Sequence, residues 1–227
     1  MQKLRIGFLV SGNGGTLKFI HLALQHLNLP FTVAIVIADR ACGALDYARA
    51  VKIPCQQLTY TRQDAKPLQR VLHEAGLDVV VTTIHKIIDA ETLRLFPDLF
   101  INLHYSLLPA FKGVIGMRTI EQARISNTTI IGATCHEIDE QVDNGCCLAQ
   151  FAVGVDWSRD ASNEVYELVF RGANLILLQV LLQLALRTAP GGSSVVAMMG
   201  QHVIFTPALK FAPDQFEEEF WQRVKER

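Results

Sequence analysis

The segment LRIGFLVSGNGGT, residues 4–16, decides the fold class. Its first seven residues are a short, mostly apolar run, which predicts a strand inside a sheet. A glycine loop follows at once, and the apolar residues after it recur at the spacing of one helix face: Leu17, Ile20, Leu24 and Leu27. The order of strand, glycine loop and helix is typical of a parallel α/β sheet.

Strands and helices keep alternating through the first hundred residues. Apolar or β-branched runs predict further strands at residues 31–38, 55–58, 78–83 and 100–103, with 55–58 at an edge. Amphipathic spacing predicts helices at 43–51, 64–75 and 90–96, with Gly76 as the cap of the second. We therefore predict a Rossmann-like, doubly wound, mostly parallel sheet.

The second half of the chain has a different pattern. Residues 130–138 and 146–155 are strand-like, and an Asn-Gly turn between them predicts an antiparallel pair. A long helix at 162–187, a hairpin at 195–206 and a helical tail at 214–227 follow. We expect one domain over 1–227, with a half that contains the glycine loop at about 1–100, a second half at about 100–190, and a C-terminal hairpin and helix at 191–227.

Composition narrows the class of protein. Half of the 227 residues are hydrophobic and the formal net charge is −1, with Lys and Arg scattered, which argues against a nucleic-acid partner. The N-terminal apolar run is too short for a signal peptide, and residues 175–186 are too few to cross a bilayer. We expect a cytoplasmic protein without a membrane partner, in which residues 175–186 can support a homodimer. The five cysteines form no CxxC pair, so we expect free thiols and no metal site.

The glycine loop is the first candidate site. A strand that feeds glycines into a helix N-terminus presents backbone N–H groups to an anion such as a phosphate or carboxylate. The candidate anion-binding residues are Gly12, Asn13, Gly14, Gly15 and Thr16. The loop has neither the GK[ST] of a Walker A motif nor a GxGxxG pattern. A plain tight turn explains the same glycines.

The second candidate site lies further along the chain. Asn102 and His104 are two residues apart on a predicted strand, so they project from one face near its C-terminal end, where α/β sheets bind ligands. Asp143 lies in the acidic connection 139–145 and is the third candidate. It is either part of a solvated turn or a partner that folds back beside His104.

Two motifs carry a family resemblance. INLHYSLLPAFKG (residues 101–113) and DEQVDNGCCLAQ (residues 139–150) resemble the folate-dependent formyltransferases, and the loop SGNGG is most like the branch that formylates phosphoribosylglycinamide. Members of the family also act on methionyl-tRNA and on amino sugars. The resemblance covers about residues 1–190 and implies the formyltransferase fold, with an acceptor half at about 1–100 and a catalytic and folate half at about 100–190.

The resemblance also implies roles for the candidates. Asn102, His104 and Asp143 match the catalytic residues, the glycine loop matches the acceptor site, and 10-formyltetrahydrofolate is the implied formyl donor. Asn102 and His104 would stabilise an oxyanion, while Asp143 would orient His104, raise its pKa and relay protons. Neither a metal nor a covalent intermediate is implied. The folate would contact two segments, represented by Ile84, His85, Lys86, Ile87, Asp139, Glu140 and Val142.

The sequence is compatible with more than one formyl acceptor. Tyr105, Lys86 and Ala173 depart from the pattern of the phosphoribosylglycinamide branch, in which a Glu at the position of Ala173 holds the acceptor. Glu164 and Glu167 lie within a register error of that position. Acceptors compatible with the motifs include glycinamide ribonucleotide, an amino-sugar nucleotide and a hydroxyornithine-type amine. A formyltetrahydrofolate hydrolase and a non-catalytic folate-binding module are the alternatives.

Overall fold

A computed structural model describes residues 3–61, 63–189 and 191–226 of the chain. The strands are β1 Leu4–Val10, β2 Phe31–Ala38, β3 Cys55–Gln57, β4 Val79–Thr83, β5 Phe100–His104, β6 Ile130–Glu137, β7 Cys147–Gly154, β8 Ser194–Met198 and β9 Gln201–Thr206. The helices are α1 Gly15–His26, α2 Gly43–Ala50, α3 Lys66–Ala75, α4 Ala90–Leu95, α5 Arg118–Ile125, α6 Ser162–Leu186 and α7 Glu218–Lys225.

The chain forms two compact units. The first contains the residues up to Asn102, the short segment Ile138–Glu140, and the residues from Phe216 onward. The second contains Leu103–Glu137 and Gln141–Gln215.

The first unit contains the parallel sheet that the sequence predicts. Its strands run in the order β3-β2-β1-β4-β5, and each neighbouring pair is parallel. The predicted bounds of β1 and β2 are confirmed, and β3 is at the edge as expected. The chain crosses from β3 back to β4 on the other side of β1, so the C-terminal ends of β1 and β4 form the switch point where α/β sheets bind ligands.

Two apolar clusters stabilise the first unit. One joins the strands to α3 through fully buried side chains that include Leu9, Ile37, Leu68 and Val80. The other holds the C-terminal helix against α1, where Trp221 stacks on Phe19 at 5.1 Å between ring centroids and Phe216 and Phe220 pack around them. The predicted tail helix is therefore part of the core of this unit.

The second unit is built on an antiparallel sheet. Its strands run β6-β7-β9-β8, and β7 pairs with both β6 and β9, so the predicted hairpin extends the predicted pair. Helix α6 packs on β6 and β7. Gly172 allows this close packing, because a Cβ there would come within 2.4 Å of the Phe151 ring. This arrangement confirms the antiparallel C-terminal extension.

Helix α6 is the hydrophobic core of the second unit. It is long and apolar enough to cross a membrane, but 89% of its most apolar stretch is buried within the protein. Within residues 175–186, Leu178 and Leu181 have no exposed area, whereas Leu184 is 42% exposed and Leu186 is 39% exposed. The C-terminal end of this stretch is therefore the part that is accessible to a partner.

One helix is absent from the sequence prediction. Helix α5 has only a narrow apolar face, with Ile120 and Ala123 buried. Its N-cap residue, Met117, makes no side-chain capping bond, so neither the usual start signal nor a strong periodicity marks it.

Candidate functional site

Strand β5 carries the first two candidates. Asn102 is in register with Thr82 of β4 in the first unit. His104 is the last residue of the strand and belongs to the second unit, where its side chain is 6% exposed. Both residues lie at the C-terminal end of a parallel strand, as the sequence predicts.

The loop after β5 is held by hydrogen bonds within the second unit. Thr134 Oγ1 on β6 donates to the Ser106 carbonyl at 2.8 Å and accepts from the Leu108 N–H at 3.1 Å. Ser106 Oγ donates to the Ala110 carbonyl at 2.6 Å. The loop therefore leads from His104 to residues 111–113 in a fixed conformation.

Asp143 lies beside His104, which is the contact that its expected role requires. Asp143 Oδ2 is 3.4 Å from His104 Nδ1 and accepts the Gly113 N–H at 2.8 Å. Asp143 has a φ of 50°, in the left-handed region. In the same turn the backbone of Gly145 lies so close to Glu137 that a side chain would not fit. A Cβ at Gly145 would be 1.8 Å from the Glu137 carbonyl oxygen.

A second histidine, which the sequence reasoning missed, contacts the same carboxylate. His136 Nε2 is 3.6 Å from Asp143 Oδ1, and its other ring nitrogen, Nδ1, is 2.7 Å from the Glu137 carbonyl oxygen. His136 is 2% exposed on β6. The only sequence signal for it is a polar residue within an apolar strand.

Each of these imidazoles faces a hydrogen-bond acceptor at both ring nitrogens. His104 Nε2 is 3.2 Å from the Phe111 carbonyl oxygen, and a carbonyl can only accept, so this nitrogen carries a proton. Asp143 lies at the other nitrogen of both rings. The carboxylate can therefore accept a hydrogen bond from either of these nitrogens when the ring carries a proton there.

The direction of each pKa shift indicates the charges of His104 and Asp143 at neutral pH. Burial lowers the pKa of His104 and outweighs the Asp143 carboxylate and the Phe111 carbonyl, which both raise it. Asp143 thus raises the pKa of His104, as expected, but burial makes the net shift a downward one. Burial raises the pKa of Asp143, but hydrogen bonds from His136 and the Gly113 N–H, with the two imidazoles, bring that pKa below its ordinary value. At neutral pH the pair consists of a neutral imidazole and a carboxylate.

The segments assigned to folate lie mostly in the first unit. Ile84 and Ile138 pack against the same buried cluster, which includes Ile88 and Phe100, and the Ile138 N–H donates to the Phe100 carbonyl at 3.1 Å. Packing on this shared cluster brings the segment after β4 close to the segment that contains Asp139 and Glu140.

The side chains of these segments differ in exposure. His85, Ile87, Asp139 and Glu140 are exposed, and Val142, in the second unit, is 48% exposed. Lys86 Nζ donates a hydrogen bond to the Tyr60 carbonyl at 2.7 Å and lies 5.0 Å from the centre of the Tyr60 ring.

The glycine loop forms the N-terminus of α1. Gly14 is the N-cap, with φ 76°, and a Cβ there would lie 2.8 Å from the Ala44 side chain. Turn geometry and packing on α2 therefore explain Gly14. A Cβ at Gly12 would meet no atom within 4 Å, so packing does not explain that glycine. Thr16 is buried in the first turn of the helix, while Asn13 is exposed and Gly15 half-buried.

Two further observations bear on the acceptor. Ala173 is fully buried in α6, so it presents no group to a ligand. Glu167 Oε1 accepts a hydrogen bond from Arg171 Nε at 2.6 Å, so this carboxylate is already ion-paired. Among the residues that the structure describes, no three His, Cys, Asp or Glu side chains are arranged to hold a metal ion.

Comparison with known proteins agrees with this geometry. The fold is the formyltransferase fold: glycinamide ribonucleotide transformylase 1 from Symbiobacterium toebii superposes with a TM-score of 0.74 at 26% identity, covering 88% of this chain and 93% of that one. The family described as formyl transferase matches residues 4–181, so the chain belongs to that family.

Curated relatives differ in the activity for which they are named. A chloroplastic phosphoribosylglycinamide formyltransferase of Arabidopsis thaliana is 28% identical over 191 residues, which are 79% of this chain and 64% of the relative. A formyltetrahydrofolate deformylase of Haemophilus influenzae is 32% identical over 165 residues, 70% of this chain and 58% of the relative. The chain thus spans less than two thirds of the length of these relatives.

Proposed function

We propose that the protein transfers a formyl group from 10-formyltetrahydrofolate to the amine of a small acceptor. The observation that carries the proposal is the contact of 3.4 Å between His104 and Asp143, in the two segments that resemble the family motifs. The proposed acceptor is glycinamide ribonucleotide or a diverged amine, either an amino-sugar nucleotide or a hydroxyornithine-type amine. We also propose that the protein acts in the cytoplasm.

The folate segments suit a flat, polar ring on an apolar base. Ile84 and Ile138 supply partly buried apolar contacts, and the residues between Ile84 and Ile88 lie outside regular strands, so their main-chain groups are not committed to a sheet ladder. The folate would supply an activated formyl carbon. Ile84, His85, Lys86, Ile87, Asp139, Glu140 and Val142 would line its site.

His104 would donate a hydrogen bond to the formyl oxygen. Its Nε2 already carries the proton, which points at the Phe111 carbonyl, and the formyl oxygen would replace that carbonyl as acceptor. A neutral imidazole serves this purpose, so the lowered pKa of His104 is compatible with donation. The Asn102 amide would donate to the same oxygen as charge develops on it.

Asp143 would accept the proton that the acceptor amine must lose. A new C–N bond forms between the amine and the formyl carbon, the bond from that carbon to the folate N10 breaks, and the proton moves from the amine to N10. The Asp143 pKa, which lies below its ordinary value, keeps the carboxylate ionised to receive this proton. Gly12, Asn13, Gly14, Gly15 and Thr16 would bind an anionic group of the acceptor through the α1 N-terminus.

A hydrolase is the second candidate. The observation that favours it is the relative named formyltetrahydrofolate deformylase, which has higher percentage identity, 32%, than the Arabidopsis transferase, 28%. The buried Ala173 gives no carboxylate for an acceptor amine and is compatible with water as acceptor. A folate-binding module without catalytic activity is the third candidate function.

A comparison of products separates the three. The protein is incubated with 10-formyltetrahydrofolate, with and without each amine, and tetrahydrofolate, formate and formylated amine are measured. Amine-dependent tetrahydrofolate release supports the transferase. Formate release without amine supports the hydrolase, and binding without release supports the module. Full turnover by Asn102→Ala, His104→Ala and Asp143→Ala variants would refute the proposed roles.

A further inference from the structure

Three consecutive residues each hold a different part of the candidate site. The Phe111 carbonyl accepts from His104 Nε2 at 3.2 Å. Lys112 Nζ donates to Asn144 Oδ1 at 2.8 Å, and the Gly113 N–H donates to Asp143 Oδ2, also at 2.8 Å. All of these residues belong to the second unit. Residues 111–113, the clasp segment, thus connect the two halves of the His-Asp pair.

Two of the three residues in the clasp segment have a left-handed backbone conformation. Phe111 has φ 57° and Gly113 has φ 76°, and Phe111 is not a glycine. Asp143 has φ 50° on the opposite segment. A non-glycine residue in this region is strained, so contacts elsewhere must stabilise the pair of turns.

The hydrogen bond from Lys112 to Asn144 joins the two turns through their side chains. We propose that Lys112 is a positioning residue, whose ammonium bound to Asn144 fixes the clasp segment so that the Gly113 N–H aims the Asp143 carboxylate at His104 and His136. This role rests on the proposed function, because it acts through Asp143. Lys112 needs no contact with substrate to act in this way.

Loss of the ammonium has a predictable electrostatic consequence. The Gly113 N–H is one of the contacts that lower the pKa of Asp143, so a displaced clasp segment raises that pKa. Among the described residues, the titratable groups that face the Asp143 carboxylate are His104 and His136. The acidic limb of the pH–rate profile should therefore move to higher pH. A role in stability alone would leave this limb in place.

The test is a double-mutant cycle in the full-length protein with Lys112→Ala, Asn144→Ala and the double variant. We expect kcat to fall about five- to tenfold in each single variant, without a further loss in the double variant, because the two residues act as one contact. KM values should stay within about twofold. Lys112→Arg should recover kcat to within about twofold, because arginine can donate to the same oxygen.

Lys210→Ala is the matched control, since Lys210 Nζ donates to Thr188 Oγ1 on another segment. It should keep wild-type kcat. Additive losses in the cycle, a Lys112→Ala kcat within twofold of wild type, or an increase in kcat would overturn the proposal.

A second measurement is independent of activity. The Gly113 amide proton should lose protection from hydrogen exchange in Lys112→Ala, and should keep it in Lys210→Ala. If the wild-type protein transfers no formyl group, the proposed function fails, and the exchange measurement still decides whether Lys112 fixes the clasp segment. Unchanged Gly113 protection in Lys112→Ala would refute the role of Lys112 alone.

Discussion

Replacement of Asp143 by Asn should abolish most of the activity while leaving the loop intact. The asparagine has the same shape, and its Oδ1 can accept the Gly113 N–H that Asp143 Oδ2 accepts at 2.8 Å. The charge that faces His104 and His136 is lost. The variant therefore separates the electrostatic role of the carboxylate from its role in the turn.

The role of the carboxylate as proton acceptor sets the magnitude of the loss. Because His104 is neutral at rest, the variant loses a positioned general base, and such a group contributes about 10²- to 10⁴-fold in rate. The Asp143 side chain is 11% exposed, so water can replace part of its function. We expect about 3–4 kcal/mol of transition-state stabilisation to be lost, which is about 10²- to 10³-fold in kcat.

The assay follows tetrahydrofolate release at saturating 10-formyltetrahydrofolate and amine. Asp160→Asn is the matched control, because Asp160 Oδ2 also accepts a backbone N–H, from Asp156 at 2.7 Å. It should keep kcat within about twofold. An Asp143→Asn enzyme with more than a tenth of wild-type kcat and a native circular-dichroism spectrum would refute the assignment of the carboxylate.

Three further variants test the electrostatics and the packing. The folded-state pKa of His104 lies below 6.5, so its contribution to stability is present above pH 6.5 and is lost as the pH falls through the folded-state pKa. His104→Gln should therefore flatten the pH dependence of the free energy of unfolding between about pH 7 and 5, measured by urea titration; an unchanged slope would count against this direction. Gly145→Ala, whose Cβ would meet the Glu137 carbonyl at 1.8 Å, should cost about 1–3 kcal/mol and lower kcat, whereas Gly191→Ala, with no atom within 4 Å, should do neither. Trp221→Ala should cost about 3–5 kcal/mol in thermal or urea unfolding, because it empties the aromatic cluster on α1, and should leave kcat unchanged; a stable variant would show that the C-terminal helix contributes little.

Strong local patterns account for the part of the fold that the sequence predicts. The apolar run and glycine loop at residues 4–16 have few alternative structures, and β1 and the start of α1 lie where expected. Helix α5 is different, because its stability comes from a narrow buried face around Ile120 rather than from capping or strong periodicity. A sequence pattern does not record that kind of tertiary support.

The residues of the candidate site also fall into those that the sequence predicts and those that it does not. His104 and Asp143 are recognisable because two motifs mark them, although their contact depends on a turn at Asp143 that only the structure reveals. His136 lies outside both motifs, and Lys112 lies inside one without a predicted role. Their contacts with Asp143 and Asn144 depend on how the connection 139–145 folds back, which the sequence does not show. The sequence predicts the direction in which Asp143 shifts the pKa of His104, but the larger, opposite effect of burial cannot be weighed without coordinates.

The most direct test of the proposed function is a product assay of the wild-type protein with 10-formyltetrahydrofolate and a panel of amines. The panel contains glycinamide ribonucleotide, an amino-sugar nucleotide and a hydroxyornithine-type amine. We predict that one amine gains a formyl group, identified by mass spectrometry, with one tetrahydrofolate released per formylated product. Formate release at the same rate with and without every amine, or folate binding without any release, would contradict the formyltransferase assignment.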